Sequence, residues 1–273
     1  MYRFRVSIVL ALLLPLGLWA CSSPPNLIAK DEPWRADEER ACLASGEVRE
    51  SAFVTTRASL GGPSVCGAIR PFTVSATGRG SVILQPPALL RCPMIPALDY
   101  WMERVVQPAA RQHFRTNVVE VTVAGSYACR AMNHVHGARL SEHGHANAID
   151  VSAFVLANGT KVAVKSGWWG GLAERNFLRS VHAGSCAVFT TVLGPAYDTN
   201  HRDHFHLDLA KHNAEGRICK IAVRPQDMAG RRPSRSTAGQ LRPSRVRQFR
   251  AGPMTIVRIE PASDTTTPST RRG

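Results

Sequence analysis

Three features that would each indicate a common class of protein are missing from this 273-residue chain. None of its seven cysteines stands in a Cys-x-x-Cys pair, so a zinc site built on thiolates is not expected. The largely apolar run from Val6 to Ala20 is short for a membrane span. No nucleic-acid-binding motif accompanies the net charge of +14, so we expect no nucleic acid partner. The apolar run therefore favours a role other than a membrane span, and the positive charge favours a partner other than nucleic acid.

The N-terminus has the order of features typical of a secretory signal. Two arginines precede the apolar run, and the small residue Ala20 ends it. We therefore predict a signal peptide over 1–20 and an exported protein of the periplasm or cell envelope. Leu18, Ala20 and Cys21 also match the bacterial lipoprotein pattern, which predicts a membrane-anchored lipoprotein with its lipid anchor on Cys21. Ordinary signal cleavage and an uncleaved anchor are the alternatives.

The cysteines that remain after Cys21 are even in number, as expected for disulfide bonds in an oxidising compartment. They are Cys42, Cys66, Cys92, Cys129, Cys186 and Cys219. Six cysteines can pair in many ways, and spacing alone does not choose among them. We predict the pairs Cys66–Cys92 and Cys186–Cys219.

Composition divides the mature chain into three parts. Residues 21–40 are polar, with a Pro-Pro pair and a run of charges, and we predict a tether there. Residues 41–222 are long enough for one domain with a sizeable core. Residues 223–273 hold eleven arginines against three acids, and they are rich in Pro, Ser and Thr. This predicts a basic disordered tail attracted to anionic envelope polymers or headgroups, with a solvated arm as the alternative.

Helix and strand signals alternate irregularly within the domain. Helices are predicted at 96–115, where Pro108 should kink or end the helix, at 172–181 and in part of 186–193. Strands are predicted at 118–123, 149–156, 160–164 and 204–209. Asn158-Gly159 indicates a hairpin between the second and third of these strands. The fold class is therefore α+β, a small antiparallel sheet with flanking helices.

Two short segments hold five of the ten histidines, each beside carboxylates, and they span residues 141–150 and 201–208. Imidazole and carboxylate are ligands of catalytic zinc, where three protein ligands leave one position for water. His143 and Asp150 are too far apart on one helix or one straight strand to share a metal, so we expect a turn between them. His204 and His206 project to the same face of a strand. The pattern indicates a metal-dependent hydrolase.

These segments resemble the motifs of the zinc D,D-peptidases of bacterial cell walls, which include D-alanyl-D-alanine carboxypeptidases, D-Ala-D-Ala dipeptidases and murein endopeptidases. The first segment fits Ser-x-His followed by Ala-x-Asp, with Ala146 in place of the usual glycine, and the second fits His-x-His. Upstream, Ser-Tyr-Ala-Cys-Arg at 126–130 is similar to that group's Ser-Gly-Tyr-Arg. The wider pattern from Cys66 to Cys219, with Ser-Glu-His-Gly-x-Ala-x-Ala-Ile-Asp, a Leu-Gly-Pro turn and His-x-Asp-His-Phe-His-x-Asp, resembles bacterial extensin-like C-terminal domain proteins.

The resemblance implies a zinc D,D-peptidase-like fold with one Zn²⁺ ion. The implied metal ligands are His143, Asp150 and His206. Arg130 stands at the position of the group's substrate-binding arginine, where it would bind a substrate carboxylate or stabilise an oxyanion. Ser141 would orient a ligand or bind substrate, and the alternative is a simple turn residue.

Two residues compete for the role of general base. His204 fits the endopeptidase-type His-x-His and is favoured. Asp203 fits the carboxypeptidase-type Glu-x-x-His, with a shorter side chain. The histidines outside these roles are predicted to lie at the surface or at the rim of the site, and they are His134, His136, His145 and His201.

The leading hypothesis is a zinc metallopeptidase of the cell envelope, of the D,D-carboxypeptidase or endopeptidase type. Its partners would be peptidoglycan stem peptides, cut at a bond next to a D-amino acid. One alternative is a non-catalytic zinc-containing module that binds peptidoglycan. The other is a disulfide-braced envelope scaffold whose histidines bind metal opportunistically.

Overall fold

The computed structural model describes residues 32–62, 65–212 and 216–219. The predicted signal peptide, the lipid-anchor cysteine and the predicted tail all lie outside these residues. The predicted tether is described from residue 32 onward, and there a helix, α1 (Trp34–Ser45), replaces the expected linker. The charges that suggested a solvated linker belong to this helix and form ion pairs with the domain. The folded part therefore begins before the predicted boundary at residue 41.

The remaining elements alternate as an α+β chain. After α1 come β1 (Val54–Thr56), β2 (Leu60–Gly61), β3 (Gly67–Ala68), β4 (Phe72–Thr77), β5 (Val82–Leu90), α2 (Met94–Trp101) and α3 (Gln107–Phe114). Then follow β6 (Val118–Gly125), β7 (Ala148–Leu156), β8 (Lys161–Ala163), α4 (Val164–Gly167), α5 (Leu172–Ser185), β9 (Thr191–Leu193), β10 (Phe205–Asp208) and β11 (Ile218–Cys219). The predicted hairpin forms between β7 and β8. Over the described ranges, no helix combines the length and apolar character needed to cross a bilayer.

A nine-stranded sheet organises the domain and confirms the α+β class. Its order is β1-β4-β5-β6-β7-β10-β9-β11, with β8 paired to β7. Most neighbours are antiparallel, but β5–β6 and β9–β11 are parallel. The sheet is therefore larger and more mixed than the small antiparallel sheet predicted. Parallel strands need a long crossover, and α2 and α3 supply it between β5 and β6.

Helices α2 and α5 pack in the core on one face of this sheet. Trp101 of α2 is fully buried, contacts Phe154 of β7 and donates a hydrogen bond from Nε1 to Ser185 Oγ at 2.7 Å. Phe205 and Leu207 of β10 are fully buried in the same core, and each contributes about 1.5–3 kcal/mol by burial. Because strand residues alternate between faces, the polar residues of β10 point to the opposite side.

The predicted helix at 96–115 forms, but Pro108 does not end it. One turn of π-helix, Met102–Val106, joins α2 to α3, and Pro108 stands at the start of α3. Proline has no backbone N–H and its ring crowds the preceding turn. The wider π turn accommodates this where a regular α-helix would break.

The helical turn predicted within 186–193 is partly wrong. α5 ends at Ser185, and Thr191–Leu193 form the strand β9 between β10 and β11. All three β9 residues are buried. Strand pairing and burial, which depend on distant parts of the chain, decide the structure here.

Three disulfide bonds close the domain. They are Cys42–Cys92, Cys66–Cys129 and Cys186–Cys219. The last was predicted, whereas the predicted Cys66–Cys92 pair is wrong. Cys92 instead bonds to Cys42 of α1, a helix whose first residues lie in the predicted tether. Loops of this length give each bond a stabilisation of about 4 kcal/mol on the chain-entropy account.

Candidate metal centre

Strand pairing sets one carboxylate and one imidazole side by side. Asp150 on β7 is the direct partner of His206 on β10 in the antiparallel register. On its other side Asp150 pairs with Gly125 of β6. A Cβ atom at Gly125 would lie 3.0 Å from the Asp150 Oδ2 atom. The glycine therefore leaves room for the carboxylate on the face of the sheet opposite α2 and α5.

A single 3₁₀ turn, Glu142–His145, brings His143 to this pair. This turn, called the ligand turn below, agrees with the turn predicted between His143 and Asp150. Ser141 caps the turn, its Oγ accepting a hydrogen bond from the His143 backbone N–H at 3.4 Å. Ala146 ends it with φ 51°, in the left-handed region. A residue with a Cβ carries a strain of about 1–2 kcal/mol there. Glycine would adopt this conformation without that strain, and this chain tolerates alanine there.

The three predicted ligands form a compact buried group. Nε2 of His143 lies 3.1 Å from Nδ1 of His206 and 3.1 Å from Oδ2 of Asp150. Nδ1 of His206 lies 2.9 Å from Oδ1 of Asp150. Tetrahedral zinc with bonds of about 2.0–2.2 Å separates its ligand atoms by roughly 3.3 Å. The group therefore fits one such ion after an expansion of a few tenths of an ångström.

Hydrogen bonds on the far side of each ring orient the two imidazoles. Nδ1 of His143 donates to the backbone carbonyl of Ser126, and Nε2 of His206 donates to Oδ2 of Asp208 at 2.9 Å. In these tautomers both inner nitrogens present lone pairs toward the anionic Asp150. Acceptors that converge in this way need a cation or a proton between them. Such outer contacts are typical of metal-ligating histidines.

The two candidate bases form one hydrogen-bonded pair beside the group. Nδ1 of His204 lies 2.9 Å from Oδ1 of Asp203, and Nε2 of His204 lies 3.7 Å from Oδ1 of Asp150. The hydrogen bond from His204 lowers the pKa of Asp203. The imidazole therefore stands between the Asp203 carboxylate and the metal-ligand group.

A cavity of about 460 Å³ opens onto these residues. Every predicted site residue except Asp203 lines it, namely Arg130, Ser141, His143, Asp150, His204 and His206. The Arg130 backbone is tied to the ligand turn, because its carbonyl accepts a hydrogen bond from the Ser141 N–H at 3.0 Å. Two segments that are distant in sequence thus share one concave surface.

His201 is a site residue that sequence analysis missed. Of the two positions predicted for it, the surface is wrong because the residue is buried, whereas it does line the cavity beside the site. Its ring centroid lies 5.4 Å from that of His204 and 5.8 Å from that of His206. Its Nδ1 lies 2.7 Å from Oδ1 of Asp198. That acid, three residues before it and just ahead of the second segment, was the available signal.

His145 is also buried, contrary to the surface or rim position predicted for it. Burial, followed by the positive charges of Arg35 and Arg91, lowers its pKa to about 4. It therefore stays neutral at the end of the turn that carries His143. His134 and His136 are exposed, as predicted.

The family model described as extensin-like protein C-terminus matches residues 40–220. The chain belongs to this family. The match begins inside α1 and includes both ligand segments and Arg130. It bears out the wider resemblance derived from the sequence. No curated protein and no solved structure matches the chain.

One further group of metal-ligand residue types occurs in the described part of this extensin-like domain. It consists of His182, Cys186 and Cys219. The two cysteines are joined in a disulfide bond, so neither offers a thiolate. His182 packs against the rings of Trp168 and Phe205, and burial lowers its pKa to about 4. We assign this histidine to the core as a neutral ring.

Charge compensation within the candidate centre holds a proton on His206. Burial opposes the charged forms of His206 and Asp150, but their hydrogen bonds to neighbouring groups outweigh it. The pKa of Asp150 therefore lies well below its usual range, and that of His206 is raised to about 10. In the metal-free protein, a proton thus occupies the position between the ligand atoms.

We expect zinc affinity to rise with pH for this reason. Below the raised pKa of His206 the ion must displace one proton, so the dissociation constant should fall about tenfold per pH unit between about pH 6 and 8. Competition titrations at several pH values and calorimetry in buffers of different ionisation enthalpy measure the slope and the proton release. The exposed-site variant His136→Ala should keep the same slope. An affinity independent of pH, with no proton released, would contradict the assigned charge state.

Proposed function

We propose that this extensin-like protein is a zinc-dependent peptidase of the cell envelope that hydrolyses peptidoglycan stem peptides at a bond next to a D-amino acid. The observation that carries the proposal is the buried group of His143, Asp150 and His206 at the wall of a cavity. Two imidazoles and one carboxylate are a ligand set of catalytic zinc sites. The resemblance of the two segments to zinc D,D-peptidases supports the substrate class.

These three side chains would hold the ion, since their inner atoms converge and their outer atoms already have partners. Bound zinc supplies Lewis acidity, which polarises a scissile carbonyl and brings the pKa of water to about 7. Asp208 and the Ser126 carbonyl keep the two imidazoles aimed inward. Ser141 fixes the start of the turn that carries His143.

His204 is the better placed of the two candidate bases. Its Nε2 lies toward the ligand group, whereas Asp203 contacts the far nitrogen of the same ring. Nε2 would take a proton from the attacking water and return it to the leaving amine. Asp203 would hold the tautomer in which Nε2 is free to accept, and it would stabilise the imidazolium. In this mechanism the two candidates share one role.

Arg130 would bind the substrate. Its side chain lines the cavity, and its hydrogen bond from Nη1 to the Ala131 carbonyl is long at 3.4 Å. A guanidinium in this position can pair with a substrate carboxylate or with the oxyanion that develops at the scissile carbonyl. The fixed backbone at Ser141 keeps this cation beside the ligand turn.

The proposed location is the periplasm or cell envelope, with a lipid anchor at Cys21 and the basic tail on anionic polymers or headgroups. Three disulfide bonds support an oxidising compartment. A lipid anchor would hold the domain near the wall peptides.

Digestion of purified muropeptides tests the proposal. The zinc-loaded protein should release products whose masses differ from the substrate by cleavage next to a D-residue, and chelator-treated protein should release none until zinc is restored. Stoichiometric zinc without cleavage of any wall fraction would exclude the peptidase and favour a binding module. A protein that takes up no zinc on reconstitution would leave only the scaffold.

A further inference from the structure

The first turn of α1 contacts the segment that carries the first metal ligand. The Arg35 guanidinium reaches both carboxylate oxygens of Glu142, with Nη2 2.5 Å from Oε1 and Nη1 on Oε2. Glu142 immediately precedes His143 and lies 107 residues from its arginine partner. The two side chains are only 12% and 13% exposed. A nearly buried bidentate pair therefore holds the backbone next to a ligand.

Glu142 also closes the ligand turn on itself. Its Oε2 accepts a hydrogen bond from Asn147 Nδ2 at 2.7 Å, and its backbone carbonyl accepts one from the Asn147 N–H at 3.1 Å. These contacts join the residue before His143 to the residue before β7. Arg35 thus acts on the closed end of the turn rather than on a mobile side chain.

The rest of α1 fixes Arg35 in place. The buried Arg91 donates a hydrogen bond to the Arg35 carbonyl, and Glu39 accepts backbone N–H bonds from Ile69 and Arg70 at 3.1 and 2.9 Å. One helical turn after Arg35, Glu38 pairs with Lys211 at 2.8 Å. Lys211 follows the second ligand segment by three residues. That last pair is exposed, at 39% and 53%.

Two of the ion pairs that α1 makes, Arg35–Glu142 and Glu38–Lys211, are expected to differ in how much they stabilise the fold. Exposed pairs contribute at most about 1 kcal/mol because solvent screens them. Removing one partner of a nearly buried pair leaves an uncompensated charge and costs more. Arg35–Glu142 is therefore the pair whose loss should disturb the turn more, and Glu38–Lys211 serves as an internal reference.

We propose that Arg35 is a positioning residue of the candidate metal centre, and that the functional unit begins before the family-matched residues 40–220. Arg35 acts through Glu142 to hold the turn so that His143 Nε2 stays directed at Asp150 and His206. The inference rests on the proposed metal centre but does not require peptidase activity. It gives a role to a residue in the segment predicted from sequence to be a tether.

Electrostatics and positioning predict opposite effects for Arg35→Gln. Arg35 lines the same cavity as the ligand group. If it acted only as a nearby positive charge, its neutralisation would tighten the binding of a divalent cation. If it positions the turn, its removal weakens binding, because the ligand geometry loosens. The sign of the change therefore separates the two roles.

The test uses the full chain and measures Co²⁺ and Zn²⁺ affinity by competition with a chromophoric chelator. We expect Arg35→Gln and Glu142→Gln each to weaken binding by roughly tenfold, in the range of other changes behind a metal ligand. The double variant should be no weaker than the weaker single variant, since either change alone already removes the Arg35–Glu142 pair. Arg35 also pairs with Glu32 at 2.7 Å, and only the Arg35 variants lose that contact. The reference variant Glu38→Gln should stay within about twofold of wild type. Circular dichroism and thermal melting report whether each variant is folded.

Unchanged or tighter metal binding by a folded Arg35→Gln variant would overturn the proposal. Should that variant fail to fold, Arg35→Lys decides, because lysine keeps the charge but not the bidentate geometry. It should bind metal about threefold more weakly than wild type, and wild-type affinity would overturn the proposal. Wild-type protein that binds metal but cleaves no muropeptide refutes the peptidase and leaves this inference standing. Wild-type protein that binds no metal refutes both.

Discussion

His206→Ala is expected to lose stoichiometric zinc and, with it, muropeptide cleavage. His206 contributes one of three inner ligand atoms, and it is the cross-strand partner of a second ligand, Asp150. Changes that only reorient a ligand cost about 10–100-fold in metal affinity. Loss of the ligand itself should therefore exceed about a hundredfold. Metal analysis after dialysis and muropeptide digestion measure the two effects.

The matched control for this variant is His136→Ala, which removes an exposed histidine and should keep both zinc and cleavage. His206→Ala also removes the partner of the buried Asp208, so its folding needs a separate check by circular dichroism. A folded His206→Ala protein that retains one zinc with wild-type affinity would show that the ligand assignment is wrong.

His204→Ala is expected to keep zinc and lose most turnover. His204 stands outside the three convergent ligand atoms, but its Nε2 lies 3.7 Å from the Asp150 carboxylate at the cavity wall. A positioned acid–base group contributes about 10²–10⁴-fold to the rate. The turnover number should fall by that range, while the zinc content remains at one ion per chain. Single-turnover digestion together with metal analysis separates the two quantities.

Asp203→Asn distinguishes the shared role from the alternative base. An amide still contacts Nδ1 of His204 but no longer stabilises the imidazolium, so turnover should fall less than in His204→Ala. If Asp203 were itself the base, the order would be reversed. Loss of zinc from His204→Ala would instead place that histidine among the ligands.

The local part of the site could be predicted from the sequence. Alternation along β10 separates His206 and Asp208 from the core residues Phe205 and Leu207, because strand side chains alternate between faces. The spacing between His143 and Asp150 excludes a single helix or strand, and the structure has a turn there. These inferences needed only the side-chain periodicity of strands and the distance that each residue adds along a helix or a strand.

Features that depend on distant contacts could not be predicted. Arg35 meets its partner 107 residues away, and its segment had the charge and proline content of a linker. β9 is a strand because it pairs with β10 and β11, and no short-range pattern shows this. His201 was missed because the sequence does not show which histidines of a histidine-rich segment are buried, and only the packing of the folded chain decides this.

If both histidine segments hold one divalent ion through three side chains, anomalous scattering at the zinc edge should locate that ion between them. A crystal of the zinc-loaded protein should show one peak about 2.0–2.2 Å from His143 Nε2, His206 Nδ1 and an Asp150 oxygen. A stoichiometric zinc peak on other residues, or no peak between these three, would show that the two segments do not form the metal site.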